Sequence, residues 1–230
     1  MTSLDIDMGN TRTKWRCGES MGALPSPHLP TLDVDPTRVR VATVLRNRGD
    51  LAHAIADRYG IEAEFAETAG KLAGVRCGYK DPARLGVDRW LAAVAAWQAC
   101  SGPVIVVSVG TAATVDFVDA DGGHEGGFIA PGLRLLRNSL ARETADVRPN
   151  GALDPSTAPG GDTRSAVSGG TFLMLAAFVD AAVRGFADRH GYDAQVFLTG
   201  GDADLLSGRL TVPVRREPHL VLDGLGIALP

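Results

Sequence analysis

The sequence predicts an α/β protein built from two related lobes. Strands and helices alternate along the chain, and hairpins closed by glycine turns occur in both halves. The two turns also echo one another: Asp7-Met8-Gly9-Asn10-Thr11 is answered by Ser108-Val109-Gly110-Thr111-Ala112, each with a polar residue two positions before the glycine. The alternative left open by a short echo is one mixed sheet carrying two unrelated hairpins.

Taken in order, Leu4 to Asp7 alternates into the Gly9-Asn10 turn and Thr13 to Cys17 returns as the second strand of a hairpin. A Pro-rich loop from Pro25 to Pro36 precedes a buried strand at Val39 to Val44, a short amphipathic helix at Asp50 to Tyr59 and a strand at Ile61 to Glu67. Trp90 to Cys100 reads as a helix whose Trp90, Leu91, Val94 and Trp97 share one face. Val104 to Val109 is the most apolar strand, followed by the Gly110-Thr111 turn, a strand through Val115 to Val118, an Asp-Ala-Asp-Gly-Gly turn and a strand near Gly126 to Ala130. Leu133 to Thr144 and Arg164 to His190 read as helices separated by a loop rich in Pro and Gly, and Gln195 to Leu198 as a strand ending in Gly200-Gly201-Asp202.

Composition narrows the class of partner. The 230 residues carry a formal net charge of −4 with both signs interspersed, so there is neither the basic stripe of a nucleic-acid binder nor an attraction to anionic membrane. Cys17, Cys77 and Cys100 are far apart and outside any CxxC or Cys/His cluster, which argues against a disulfide framework and a zinc site. The N-terminus lacks a basic segment followed by an apolar one, and the apolar runs Val104 to Val109 and Thr171 to Val183 are short or broken for a bilayer span, so a cytoplasmic protein with a small-molecule partner is expected.

A glycine turn followed by a hydroxyl residue can wrap phosphate oxygens with backbone N–H groups, because glycine raises no Cβ wall. Asp7 is placed to hold a hydrated divalent metal, and Lys14 adds a mobile charge for a phosphate or else lies solvated on its strand. The chain has neither GxxxxGK[ST] nor GxGxxG after its strands, so any ATP site is of another design. Phosphoryl transfer needs a carboxylate near the acceptor hydroxyl, and Asp88, at the start of the tryptophan helix beside Arg89, is the candidate. The competing role for Asp88 is a helix cap, and for Arg89 a surface ion pair rather than a grip on an anionic substrate. Asp116 is a possible second carboxylate near the phosphates. His28, His53, His124, His190 and His219 occur in no HExxH or triad-like context and read as loop or helix-surface residues.

The segments Asp7 to Lys14, Tyr79-Lys-Asp-Pro-Ala-Arg-Leu-Gly-Val-Asp-Arg-Trp90, Gly110-Thr-Ala-Ala-Thr-Val-Asp116 and Gly126-Gly-Phe-Ile-Ala-Pro-Gly132 together resemble the type III pantothenate kinase family. The likeness extends through Asp162-Thr163 and Gly200-Gly-Asp-Ala203 to Leu222-Asp-Gly-Leu-Gly226. It implies the duplicated ribonuclease H-like fold shared with actin, sugar kinases and heat-shock ATPases, divided into lobes at 1–103 and 104–230. It implies an ATP-dependent phosphorylation of pantothenate, the first step toward coenzyme A, with ATP contacts at Asp7, Met8, Gly9, Asn10, Thr11, Arg12, Thr13, Lys14 and Thr111. Substrate contacts follow at Tyr79, Gly86, Val87, Asp88, Arg89 and Thr163, with Asp88 as proton acceptor and Asp7 toward Mg2+.

The resemblance further implies a homodimer with the pantothenate pocket at its interface, and a monovalent cation, potassium or ammonium, beside the second turn. Here the sequence departs from the family: Ser108 stands where many members carry an aspartate for that cation, and a neutral hydroxyl is the weaker ligand. Two other functions fit the same scaffold, a catalytically weak accessory protein and a kinase for another small hydroxy acid.

Overall fold

The computed structural model describes residues 2–100, 102–144 and 158–230, which divide into two compact units. The first contains Met1–Ser101, Gly122–Glu125 and His219–Pro230, the second Gly102–Asp121 and Gly126–Pro218.

In the first unit, strands β1 (Ser3–Met8), β2 (Arg12–Cys17), β3 (Ser20–Pro25), β4 (Arg38–Thr43) and β5 (Ala63–Phe65) form a sheet in the order β3-β2-β1-β4-β5. Helix α1 (Arg48–Tyr59) ends at Gly60, whose φ of 68° suits the left-handed cap that glycine adopts without strain. A small ribbon, β6 (Lys71–Leu72) with β7 (Val75–Arg76), and a 3-10 turn at Pro82–Arg84 lead into α2 (Val87–Cys100). The alternation of β1 decides what each face does. Leu4, Ile6 and Met8 enter a core with Val39, Val41, Leu51 and Ile55, which turns Asp5 and Asp7 to the opposite face. There the register sets Asp5 opposite Arg16 and Arg40, and Asp7 opposite Lys14, so each acid meets a base across the sheet.

The second unit repeats the plan. Strands β8 (Val104–Val109), β9 (Ala112–Val118), β10 (His124–Pro131), β11 (Gln195–Thr199) and β12 (Arg215–Arg216) run in the order β10-β9-β8-β11-β12. In both sheets the central strand pairs antiparallel with its hairpin partner and parallel with the strand that returns after a crossover. This is the duplicated ribonuclease H-like fold, and it removes the single-sheet alternative. Helices α3 (Leu133–Glu143), α4 (Thr163–His190) and α5 (Ala203–Ser207) complete the unit, with Phe172, Leu175, Val179 and Phe186 of α4 packed on Ile105, Val107, Val115 and Phe117.

The apolar run Thr171 to Val183 lies in the middle of α4, a helix of 28 residues that is long and apolar enough to cross a membrane by length and composition, although half of that stretch is buried in the unit. Buried Asp180 accepts the Thr211 N–H with both oxygens, at 3.0 and 3.2 Å. Most of the Pro- and Gly-rich loop expected ahead of α4 lies outside the described residues.

The chain then returns to the first unit through α6 (Leu220–Ala228), which packs on α2 so closely that a Cβ on Gly224 would strike the backbone of Leu91. A boundary at 103/104 therefore separates α6 from the core to which its side chains belong. Two further elements differ from the expectation: Ser20 to Pro25 is an edge strand ahead of the loop, and α2 begins at Val87, which puts Asp88 and Arg89 inside its first turn.

Candidate active site

The first glycine turn joins β1 to β2. The Gly9 N–H closes it on the Arg12 carbonyl at 3.0 Å, and Asn10, Thr11 and Arg12 stand exposed at its tip. Thr13 turns inward and is fully buried. Met8 is braced from β4, where the Thr43 hydroxyl donates to the Met8 carbonyl at 3.1 Å. The turn thus sits on a stiff strand end and offers backbone and small polar groups outward, as a phosphate requires.

On the polar face of the same sheet, burial pushes the Asp7 carboxyl up to about 7 from its ordinary 3.8; Lys14 pulls it down and the charge of Asp88 pushes it up further. Two carboxylates and one ammonium are therefore gathered at the end of β1, although Asp88 comes from α2. The position of Asp88 is tightly prescribed: its Oδ1 accepts the Arg89 N–H at 2.8 Å, and a Cβ on Gly86 would stand 2.7 Å from that oxygen. Glycine at 86 makes room for the carboxylate, and the helix N-terminus favours its charge. Holding a first-turn N–H and lying near Asp7 are thus compatible for Asp88.

Arg89 is 8% exposed; its Nη1 donates to the Tyr79 hydroxyl at 3.1 Å, and its guanidinium carbon lies 5.9 Å from the centre of that ring. Tyr79 and Arg89, expected together on the substrate side, are in contact.

In the second unit the Gly110 N–H closes the turn onto the Ala112 carbonyl at 2.9 Å, and the Thr111 carbonyl accepts the Gly132 N–H at 3.1 Å. Gly132 and Gly200 wall the turn, since a Cβ on either would collide with backbone at Gly110 or Val109, and Gly200 also has a φ of 101°. At Gly110 itself a Cβ would meet nothing within 4 Å, and φ is not positive. Folding therefore does not demand glycine there, and the space beside it is open. Ser108 is half-buried, set opposite Thr114 on β9 and beside Thr199 on β11. Asp116 is buried mid-strand opposite Val106, away from the turn. Thr163 is exposed as the first residue of α4, next to Asp162, which caps the helix by accepting the Ser165 N–H at 2.8 Å.

One histidine departs from the surface role expected for it. His124 is 2% exposed, with ring centroids 6.1 Å from Tyr79 and 6.3 Å from Trp90. The glycines around it carried the hint, because Gly78 and Gly122 admit backbone contacts that a side chain would block. Among the described residues no group of three or more His, Cys, Asp and Glu side chains is arranged to hold a metal ion. A divalent ion at Asp7 would have to complete its shell with phosphate oxygens and water, which is how Mg2+ ordinarily sits in kinase sites.

Twin sheets, each with a glycine turn at the end of its central strand, define the actin-like, sugar-kinase fold. Solved structures agree on the fold. A conserved Baf family protein from Campylobacter jejuni has a TM-score of 0.62 at 19% identity, over 97% of this chain and 95% of that one. The activator of 2-hydroxyisocaproyl-CoA dehydratase from Clostridium difficile, solved with bound ADPNP, has a TM-score of 0.50 at 14% identity, over 100% of this chain and 93% of that one. Sequence narrows the class further. A family model for type III pantothenate kinase matches residues 18–185. The type III pantothenate kinases of Pseudomonas fluorescens (strain SBW25) and Azotobacter vinelandii (strain DJ) are each 38% identical over 99% of this chain and 98% of their own length. The chain belongs to the type III pantothenate kinase family.

Proposed function

We propose that the protein transfers the γ-phosphoryl group of ATP to the primary hydroxyl of pantothenate, releasing ADP and 4'-phosphopantothenate, the first step of coenzyme A synthesis. The observation that carries this reading is the gathering of Asp7, Lys14 and Asp88 at the end of β1, with the Arg89–Tyr79 pair beginning one residue along the same helix.

In this reading the turn from Asp7 to Lys14, through Met8, Gly9, Asn10, Thr11, Arg12 and Thr13, binds the nucleotide phosphates, and Thr111 does so from the second turn. Asp7 holds Mg2+, which neutralises phosphate charge when bound; an ion there relieves the burial that penalises the bare carboxylate. Tyr79, Gly86, Val87, Arg89 and Thr163 bind pantothenate, with the fork of Arg89 suited to its carboxylate. Asp88 accepts the hydroxyl proton as the bond to phosphorus forms and the bond to the ADP oxygen breaks. Ser108 supplies a hydroxyl where a monovalent cation would want a carboxylate, so we read the reaction as only weakly dependent on potassium.

Two features support a homodimer. One is family membership, and the other is the number of exposed large apolar side chains on β10, α3 and α4: Phe128, Ile129, Leu135, Leu140, Leu173 and Met174. The site of action is read as cytoplasmic, where ATP is available.

The test follows ADP release with Mg2+-ATP, with and without pantothenate, at low and high potassium. The wild type is expected to release ADP only with pantothenate, and Asp88→Asn to lower kcat by about 10²–10⁴. No release under any condition overturns the kinase reading, and release with a different hydroxy acid but not pantothenate transfers it to another acceptor.

A further inference from the structure

His124 stands outside the set of residues that the proposed reaction uses, yet it touches that set. It begins β10 and belongs to the first unit through the short segment Gly122–Glu125. Arg76 N–H bonds the Gly122 carbonyl at 2.8 Å, and Gly78 lies so close to the His124 carbonyl that a side chain at position 78 would collide with it. These backbone contacts bring the histidine to the corner between the Cys77–Asp81 loop and α2. Its ring is stacked on Tyr79 with 29° between the planes, and meets Trp90 edge to face at 80°. Both distances are those at which aromatic pairs attract beyond simple burial. Trp90 is fully buried, and its indole nitrogen has no hydrogen-bond partner among the described residues. Trp90 therefore contributes a rigid wall, and His124 is the plate between that wall and Tyr79.

Tyr79 in turn fixes Arg89 by the hydroxyl contact of 3.1 Å. A long guanidinium side chain has rotamer freedom to lose on binding an anion, and a tyrosine that cannot swing removes part of that loss beforehand. We propose that His124 is a positioning residue for the acceptor site, holding the Tyr79–Arg89 pair in the orientation that receives the acid end of the substrate. This rests on the kinase reading above. The contact to Tyr79 and Trp90 is made by a flat ring, so planarity is the property this role requires at position 124.

Two substitutions separate that role from filling space. His124→Leu keeps the site filled and apolar but removes the plate; His124→Phe keeps the plate. With full-length protein and the ADP-release assay, His124→Leu is expected to raise KM for pantothenate about three- to tenfold, the range that one aromatic contact is worth. KM for ATP and kcat stay near the wild-type values, and His124→Phe restores KM for pantothenate to within about twofold of wild type. Thermal unfolding of the three proteins shows whether each is folded at the assay temperature. The proposal is overturned if Leu and Phe behave alike, if both KM values move together, or if kcat alone falls. A wild type without pantothenate-dependent turnover sinks the kinase reading and this inference with it, whereas an active wild type with an indifferent His124→Leu sinks the inference alone.

Discussion

Asp7→Asn should make the unliganded protein more stable at alkaline pH while abolishing its activity. The Asp7 carboxyl is pushed up to about 7 from 3.8, chiefly by burial, with Asp88 adding to the rise against the pull of Lys14. A raised carboxyl pKa means that the folded state prefers the protonated form. The stability this contributes is therefore fully present below 3.8 and is lost as pH climbs through about 7. The gap is about three units at about 1.36 kcal/mol each, or about 4 kcal/mol by pH 8, a ceiling because part of Asp7 reaches solvent. At about pH 5 only about one unit of that gap has been crossed, and the penalty is about 1.5 kcal/mol. Asparagine never ionises, so the advantage of Asp7→Asn over wild type should widen by up to about 2.5 kcal/mol between pH 5 and 8. For a chain of this size that corresponds to about 5–10 °C in Tm. Thermal melts of both proteins at the two pH values, without nucleotide or Mg2+, measure it. Adding Mg2+-ATP should then stabilise the wild type more than the variant, because only the wild type retains the carboxylate proposed to hold the metal. A Tm difference that does not change with pH, or an Asn variant less stable at pH 8, refutes the reasoning.

Two further outcomes follow from contacts away from the reaction centre. Asp5 is 3% exposed and receives Arg40 at 2.7 and 3.0 Å, while the same guanidinium holds the Leu229 carbonyl at 2.6 Å. Arg40→Ala leaves a buried carboxylate with the longer Arg16 contact at 3.3 Å and the Ser3 hydroxyl at 3.2 Å and unpins the end of α6, so a loss of about 3 kcal/mol is expected by chemical denaturation; a loss near zero would mean that the network is ornamental to stability. Ile129→Asp places a charge on a side chain that is 64% exposed in the single chain, and is expected to convert a dimer into a folded monomer in sedimentation analysis. A variant that still sediments as a dimer, or a monomeric wild type, would remove this face from the interface.

What could be read from the residues was what depends on neighbours in sequence. The hairpin turns at Gly9 and Gly110 are local, and so is the period that marks α2; both were legible, whereas the duplication they hint at was left open by the residues and came with the family resemblance. The return of α6 was not. Leu220–Ala228 is a short apolar stretch with no side-chain cap, and what makes it a helix is its docking on α2, where Gly224 admits the Leu91 backbone. The edge strand Ser20–Pro25 was hidden for the opposite reason, since its side chains are mostly exposed and carry little alternation.

The site divides along the same line. Position alone marks Asp88 as a cap, whereas it lies inside the first turn and its Oδ1 accepts the N–H of the next residue, Arg89; what position cannot give is the sheet face opposite. Only the alternation of β1 together with the placement of α2 brings a second carboxylate close enough to raise the pKa of the first. His124 is the sharper case. In sequence it is a histidine among glycines in a turn, and its burial results from chain segments distant in sequence meeting at Gly74, Gly78 and Gly122. Those glycines are spaces left for backbone, and a sequence records such spaces without saying what fills them. Of the proposed acceptor site, Arg89 was legible as chemistry and Tyr79 only through the family resemblance. The plate that steadies them became visible only when the turn carrying it was seen against α2.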